Sequence, residues 1–348
     1  MHKEIEVISG YKFAEISDII FSGTFLKSQS ESLYRKDNVK DNSDEHSISG
    51  KYISIRTKNF KLKENDIIFC KTDYIYELFS ILKKQCKFKN IKLITHQSDL
   101  RISNKMYRKK PKCISEWYSC NVDINRPNLI PIPLGLANFH NKNLNENHFS
   151  KKINLSDYFK DKEKLIYLNF NPNTNFSHRK NIYKIFERLN WADNEINPVS
   201  LDKYREKMKE HNFVLAPWGN GIDTHRFWEI LYSGSIPITI KHTLYQSFQN
   251  IPKIQLKNYS EINKNFLSEN LDFLEQNKNS YSFVELDFKY WKNKIKLNEI
   301  DTPKNNPVLM KNNFYSYYWF IVGFQYRLKS KLKVFNKIRR FIFKKLKI

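Results

Sequence analysis

Residues 217–237 have the sequence PWGNGIDTHRFWEILYSGSIP and hold three of the eight glycines in the chain, Gly219, Gly221 and Gly234. The apolar run NFVLAP ends where this block starts, and the run IPITI begins where it ends. The pattern predicts a strand, a glycine-containing turn, a short helix capped by Asp223 or Thr224, and a second strand. Such a unit is typical of an α/β protein.

The start of the predicted helix is a candidate anion site, because free backbone N–H groups and the helix dipole favour negative charge there. His225, Arg226 and Glu229 lie in or just after the first turn. Arg226 and Glu229 are three residues apart and share a helix face. We therefore expect Arg226, a cation that can bind phosphate, and Glu229, a carboxylate that can bind sugar hydroxyls, to point in the same direction.

Length and composition indicate a globular protein of two domains rather than one. The chain has 348 residues, of which 40% are hydrophobic and 15% aromatic, enough for real cores. The first residues, MHKEIEVISGYKF, lack the apolar region of a secretory signal. No apolar run approaches the ~18 residues that span a bilayer. The four cysteines have no CxxC spacing, which favours buried free thiols in a reducing compartment.

The formal net charge of +24 is concentrated in part at the end of the chain. Residues 327–348, RLKSKLKVFNKIRRFIFKKLKI, hold ten Lys or Arg and no acid, with apolar residues at helical spacing. This pattern predicts a basic amphipathic helix that binds an anionic membrane surface. The alternative is a solvated helix whose apolar stripe packs on the protein. Nucleic acid is not the expected partner, because no zinc-finger, RNP or helix-turn-helix pattern is present.

Strand and helix patterns alternate twice along the chain. We expect an N-terminal domain at 1–145, a polar linker at 146–163, a C-terminal domain at 164–305 and an aromatic, basic helical tail at 306–348. Within the first domain, the polar residues 28–50 predict a loop or a mobile excursion, and CISEWYSCNV is ambiguous and favours a short helix. The proline-containing NLIPIPLGL predicts an edge strand or an extended connection. In such sheets, ligands bind beyond the carboxyl ends of the strands.

The segment GNGIDTHRFWEILYSGSIPI resembles the donor-site signature of exostosin-like glycosyltransferases, with ribitol xylosyltransferase-like proteins as the nearest branch. It is more distantly similar to the α-1,3-fucosyltransferases, whose T-E-K triplet matches Thr224, His225 and Arg226. LIYLNFNPNTNFSHRKNIYKIF resembles the fucosyltransferase strand and loop in which an arginine opens the next helix, and Arg179 falls on that arginine. The resemblance covers roughly residues 165–300 and, more weakly, 85–140.

This resemblance implies the GT-B architecture, which has two Rossmann-like domains facing a cleft, with the donor in the C-terminal domain and the acceptor in the N-terminal one. It implies that Arg226 contacts the pyrophosphate, that Glu229 contacts the ribose or nucleotide hydroxyls, and that Arg179 contacts the diphosphate. It also implies an inverting transfer without a metal ion or other cofactor, so protein cations must offset the charge of the leaving group. The donor-binding residues are then Arg179, Gly219, Asn220, Gly221, Asp223, Thr224, His225, Arg226 and Glu229.

An inverting transfer needs a general base, which should come from the N-terminal half. The loop after the predicted strand IKLIT offers Asp99 as the first choice and His96 as the second. Asp99 can instead cap a turn. Asp73 is a further candidate that resembles a helix N-cap more closely. Trp218 is placed either to stack on a base or sugar, or to lie in the core.

The sequence thus predicts a glycosyltransferase that moves a sugar from a nucleotide sugar to a glycan or lipid-linked acceptor in cell-surface polysaccharide biosynthesis. The predicted location is cytoplasmic, peripheral at the inner face of the membrane. The alternative is a non-enzymatic basic module that binds nucleic acid or another polyanion, which would show steep salt dependence.

Overall fold

The structure is a computed structural model that describes residues 2–34, 43–49, 52–138, 146–149, 152–160, 162–187, 189–195, 197–297 and 306–312. The predicted basic helix at 327–348 lies outside these residues, as does nearly all of the tail 306–348. None of the helices in the described ranges has both the length and the apolar character that a membrane crossing requires.

The described residues form sixteen strands and ten α-helices. The strands are β1 (His2–Glu4), β2 (Ile19–Leu26), β3 (Ser43–Ser49), β4 (Tyr52–Thr57), β5 (Asn59–Leu62), β6 (Ile67–Lys71), β7 (Ile91–His96), β8 (Ile114–Ser119), β9 (Leu129–Pro131), β10 (Lys152–Asn154), β11 (Lys164–Leu168), β12 (Ala192–Asn194), β13 (His211–Leu215), β14 (Ile236–Ile240), β15 (Ile254–Leu256) and β16 (Val308–Lys311). The helices are α1 (Gly10–Glu15), α2 (Lys27–Tyr34), α3 (Ile75–Gln85), α4 (Asn104–Tyr107), α5 (Phe176–Phe186), α6 (Leu201–Glu210), α7 (His225–Tyr232), α8 (Thr243–Gln246), α9 (Lys264–Gln276) and α10 (Phe288–Lys296).

The first large sheet has seven strands in the order β3-β4-β2-β6-β7-β8-β9. From β2 to β9 the strands are parallel, whereas β4 runs antiparallel to β2 and β3 runs antiparallel to β4. Strand β7 is buried at every residue, as expected for a parallel strand covered on both faces. The edge position predicted for the proline-containing segment is confirmed, because β9 ends the sheet.

The second large sheet has five parallel strands in the order β12-β11-β13-β14-β15. The block at 217–237 connects β13 to β14 through α7, as the sequence predicts. Thr224 is the N-cap of α7, and Gly234 just beyond the helix has a φ of 76°, which glycine adopts without strain. The mixed α/β class is therefore confirmed, and the two parallel sheets are compatible with two Rossmann-like halves.

Two expectations about the first half are wrong. Residues 28–50 contain most of α2 and the whole of β3 rather than a loop. A strand at the edge of a sheet pairs through its backbone, so a polar sequence can form it. The segment CISEWYSCNV contains strand β8 rather than a helix, since it pairs with β7 on one side and β9 on the other.

Helix α10 and strand β16 return to the first half. The N–H of Phe288, at the start of α10, donates to the carbonyl oxygen of Glu6 over 2.7 Å. At the other end of the helix, Lys92 Nζ donates to the carbonyl oxygen of Ile295 over 2.5 Å. Strand β16 then pairs antiparallel with β5. The predicted C-terminal domain thus contains a helix that packs on the N-terminal half.

The cysteines behave as the composition predicts. All four are free thiols; Cys70, Cys113 and Cys120 are buried and Cys86 is partly buried.

Candidate functional site

A cavity of about 590 Å³ lies between the carboxyl ends of the two parallel sheets. His96 ends β7 on one side, and Gly219 follows β13 on the other. The first half contributes Gly10, Thr24, Tyr52, His96, Gln97, Ser98, Asp99, Leu134, Leu136, Ala137 and Asn138. The second half contributes Thr174, Arg179, Gly219, Asn220, Gly221, Asp223, Thr224 and His225.

The cavity gathers most of the predicted site residues. Both candidate bases line it, together with every predicted donor-binding residue except Arg226 and Glu229. Asn220 is exposed there, and the carbonyl oxygen of Gly219 accepts a hydrogen bond from Asn175 Nδ2 over 2.8 Å. Arg226 and Glu229 lie outside the lining, on the side of α7 that meets α6.

Arg179 is held rigidly at the cavity wall by main-chain carbonyl groups. Its Nε donates to Trp218, its Nη1 to Asn171 and its Nη2 to Pro217, over 2.7, 3.0 and 2.9 Å. The side chain is 5% exposed. Carbonyl oxygens satisfy the N–H groups but do not neutralise the charge, so the guanidinium remains an unpaired cation.

Arg226 is a second cation close to the first. Its guanidinium carbon lies 4.9 Å from the centre of the Tyr204 ring. Its Nη1 is buried and has no hydrogen-bond partner in the part of the chain that the structure describes. Burial and then the charge of Arg226 lower the pKa of Arg179 to about 10. Within the described residues, neither guanidinium forms an ion pair with a carboxylate. The two cations therefore repel each other, and an anion between them would relieve that repulsion.

Glu229 is a buried carboxyl group that feels the charge of Arg226. It is 7% exposed, and Tyr204 OH donates to its Oε2 over a long 3.4 Å. Burial raises the pKa of Glu229 to about 7, although Arg226 and the Tyr204 hydrogen bond act in the opposite direction. Glu229 is thus only partly ionised near neutral pH, which weakens its ability to offset the positive charge.

The glycine turn lines the cavity and also packs against the first half. A Cβ added to Gly221 would lie 2.7 Å from Asn121 Oδ1, so only glycine fits against that side chain. The same Asn121 Oδ1 accepts from the N–H of Asp223 over 2.8 Å. Gly221 is a predicted donor-binding residue, but the side chain packed against it, that of Asn121, belongs to the first half.

Asp223 joins the halves through one carboxylate oxygen, Oδ2, and binds a residue of its own half through the other, Oδ1. Oδ2 accepts from the N–H of Leu134 over 2.8 Å, and Oδ1 accepts from Trp228 Nε1 over 2.9 Å. Burial raises the pKa of Asp223 to about 7, against the effect of these hydrogen bonds. Asp223 therefore has little capacity left for a ligand hydroxyl, although it borders the cavity.

The start of α7 presents two groups to the cavity. The Thr224 side chain makes no capping hydrogen bond, and its Oγ1 is buried without a partner. His225 Nδ1 lies 2.7 Å from the carbonyl oxygen of Gly135, a residue of the first half. A hydroxyl and an imidazole are thus available at the helix start that the sequence singled out.

The two candidate bases differ in what they can still bind. His96 Nε2 lies 3.1 Å from the carbonyl oxygen of Pro133, and its Nδ1 accepts from the N–H of Gln97 over 2.9 Å. Burial lowers the pKa of His96 to about 4. Both ring nitrogens are occupied, so His96 has no free lone pair for a proton. Asp99 is exposed, and its carboxylate has no hydrogen-bond partner among the described residues.

An aromatic cluster that the sequence reasoning largely missed lies behind Arg179. The His178 ring stacks on Trp218 at 5.6 Å and meets Tyr259 edge-on at 5.9 Å. Each of these three residues has a buried polar atom without a partner, namely His178 Nε2, Trp218 Nε1 and Tyr259 OH. Trp218 had been considered for stacking; His178 directly precedes Arg179, which was the only signal for it.

Asp73, the further candidate base, does not line the cavity; it lies 4.0 Å from Lys71 Nζ, in the first turn of the short 3-10 helix after β6. In the described part of the chain, no group of three or more His, Cys, Asp or Glu side chains is arranged to hold a metal ion. Metal independence remains a prediction. Comparison of the chain with protein-family models gave no match, and comparison with curated proteins gave none either.

Proposed function

We propose that this protein is a glycosyltransferase that moves a sugar from a nucleotide sugar to a glycan or lipid-linked acceptor. The observation that carries the proposal is the pair Arg179 and Arg226, two neighbouring guanidinium groups without a carboxylate partner in the described residues. One of them lines the cavity. A nucleoside diphosphate has the charge and the two phosphates that such a pair fits, and arginine binds phosphate oxygens through its planar fork.

The GT-B architecture is the fold proposed for this activity. Three features support it: two sheets built mainly of parallel strands, a cavity at the carboxyl ends of those strands, and helix α10, which returns to the first half. In this arrangement the second half binds the donor, because it carries both arginines and the start of α7. The first half receives the acceptor.

Preorganised positive charge is the proposed source of catalysis. Arg179 is fixed by three carbonyl groups before any ligand arrives, so it loses little conformational freedom when it meets the departing diphosphate. Glu229 lies beside Arg226 and is proposed to bind a hydroxyl of the donor. Across the cavity, Asp99 is the carboxylate that the sequence proposed as base.

The donor is tested with a panel of nucleoside diphosphates and nucleotide sugars in a thermal-shift assay. One base should raise the melting temperature by a few degrees, since a ligand at about 100 times its Kd stabilises the native state by roughly 2.7 kcal/mol. Arg226→Ala should abolish this shift and donor turnover while leaving the ligand-free melting temperature within a few degrees of the wild type. Unchanged turnover in that variant would rule the assignment out.

The alternative, a basic module for nucleic acid or another polyanion, predicts a different outcome of the same panel. All nucleotides would shift the melting temperature equally, and binding of a long polyanion would fall steeply with salt. The rigid arginine site at one cavity favours the nucleotide-sugar proposal over a spread basic surface.

We further propose that residues 327–348 hold the enzyme at an anionic membrane surface, at the inner face, where lipid-linked acceptors are made. The support is their ten basic residues without an acid. Deletion of 327–348 should weaken binding to liposomes that contain anionic lipid and spare turnover of a water-soluble acceptor. Liposome binding that survives the deletion contradicts this anchor.

A further inference from the structure

Two imidazole rings at the cavity are held by one loop of the first half. The carbonyl oxygen of Pro133 lies 3.1 Å from His96 Nε2, and that of Gly135 lies 2.7 Å from His225 Nδ1. The loop itself is fixed, because the N–H of Leu134 donates to Asp223 and the N–H of Leu136 donates to the carbonyl oxygen of Ile8. Each ring therefore has a defined position and tautomer.

The tautomers of the two rings differ in whether a ring nitrogen is left free to accept a proton. A carbonyl oxygen can only accept, so His225 carries its hydrogen on Nδ1 and keeps the lone pair of Nε2 free. His96 carries its hydrogen on Nε2, while its Nδ1 accepts from Gln97. Only His225 can take up a proton without breaking a hydrogen bond.

Asp99 and His96, which line the same cavity, interact electrostatically with His225. Burial lowers the pKa of His225, and the Gly135 hydrogen bond and the charge of Asp99 act against that lowering. His96 is neutral at physiological pH, since burial lowers its pKa to about 4. His225 is thus a neutral imidazole in the resting protein, and Asp99 is the negative group that favours its protonated form.

We propose that His225 is the general base of the transfer and that Asp99 stabilises the imidazolium which then forms. This inference rests on the proposed function and deepens it. The acceptor O–H bond breaks and its proton moves to His225 Nε2. The acceptor oxygen forms a bond to the anomeric carbon, and the bond from that carbon to the diphosphate breaks, with its electron pair leaving on the diphosphate oxygen.

The arrangement favours His225 over Asp99 as the group that takes the proton. His225 is oriented by a backbone carbonyl, the kind of hydrogen bond that fixes the tautomer of catalytic histidines. Asp99 is exposed and has no hydrogen bond that orients its carboxylate among the described residues. A base that is held in one orientation takes up a proton more efficiently than one whose orientation is not fixed.

The kinetic test compares His225→Gln with Asp99→Asn, and uses Asp272→Asn, an exposed residue of α9, as the control. Glutamine keeps an N–H for the Gly135 carbonyl but has no basic nitrogen. We expect His225→Gln to lower kcat by about 10²–10⁴-fold. Asp99→Asn should lower kcat less and move the acidic limb of the pH–rate profile to lower pH, because the imidazole loses the charge that raises its pKa.

The reverse pattern overturns the proposal. If Asp99→Asn abolishes transfer while His225→Gln retains it within tenfold, Asp99 is the base. If the wild type binds no nucleotide, the proposed function fails, and this result is separate from the behaviour of the two variants.

A second measurement does not depend on turnover. Nitrogen-15 NMR of labelled imidazoles should show His225 as the Nδ1–H tautomer, with a pKa that falls in Asp99→Asn and is unchanged in Asp272→Asn. An Nε2–H tautomer, or a His225 pKa that is insensitive to Asp99, rejects the assignment whatever the activity.

Discussion

The two walls of the cavity differ in how fully their polar groups are satisfied. On the wall from the first half, the ring of His96 uses both nitrogens, and Gln97 pairs its side-chain oxygen and nitrogen with the backbone of Thr24 over 2.8 and 3.0 Å. On the wall from the second half, Thr224 Oγ1 is buried and has no partner among the described residues. The same holds for Nη1 of Arg226, which lies outside the lining.

This difference indicates where a ligand binds most strongly. A buried polar atom without a partner costs free energy, so it is retained where a ligand supplies the partner. A saturated wall instead gives a fixed shape. The second half is therefore the wall that binds charge, and the first half is the wall that positions what enters.

The largest effect expected from this comparison is on stability, at the saturated wall. His96→Ala should lower the free energy of unfolding by about 3 kcal/mol, because the Pro133 carbonyl and the Gln97 N–H lose their partners and the packing with Phe13 is lost. The nucleotide-induced thermal shift should remain. Denaturant unfolding with and without nucleotide measures both, and a shift that disappears would mean that the walls do not act separately.

A smaller effect is expected at the charged wall, in the pH dependence of stability. The folded protein raises the pKa of Glu229 from 4.5 to about 7, so the unfolded chain releases this proton at lower pH than the folded one. The contribution of Glu229 to stability is therefore most favourable below about pH 4.5 and declines as the pH rises through about 7. Between about pH 5.5 and 7, this decline amounts to about 2 kcal/mol of unfolding free energy.

Glu229→Gln should remove that contribution between pH 5.5 and 7. Part of the slope should survive, because Asp223 has a pKa raised in the same direction, to about 7. Urea unfolding at several pH values measures the slope in both proteins. An identical slope would show that Glu229 is ionised throughout and that Arg226 has a full counter-charge.

The local parts of the fold and site could be predicted from sequence. Glycines, N-caps and apolar periods act over a few residues, so the turn and helix at 217–237 followed from them. Arg179, which lines the cavity, was proposed from a family resemblance. The orientation of Arg226 and Glu229 did not. Both lie on the face of α7 that meets Tyr204, and helical spacing shows that two residues share a face but not which neighbour that face meets.

Long-range features escaped sequence reasoning for a similar reason. The role of Gly221 depends on Asn121, which is 100 positions away in the chain. Strand β3 forms by backbone pairing that its polar sequence does not signal. The return of α10 to the first half depends on contacts with Glu6 and Lys92, which no local pattern encodes.

The sequence by itself determined the α/β alternation, the helix start that carries His225 and Arg226, and the positive charge of the chain. These follow from residue type and spacing alone. The tertiary structure decided which polar groups keep unused capacity. His96 and His225 have the same chemistry, yet of the two only His225 keeps a free nitrogen. Its Nδ1 meets a carbonyl 90 residues away, and no N–H of the described residues approaches its Nε2. A ligand can bind the polar groups that folding leaves without hydrogen-bond partners, and only the folded structure shows which groups these are.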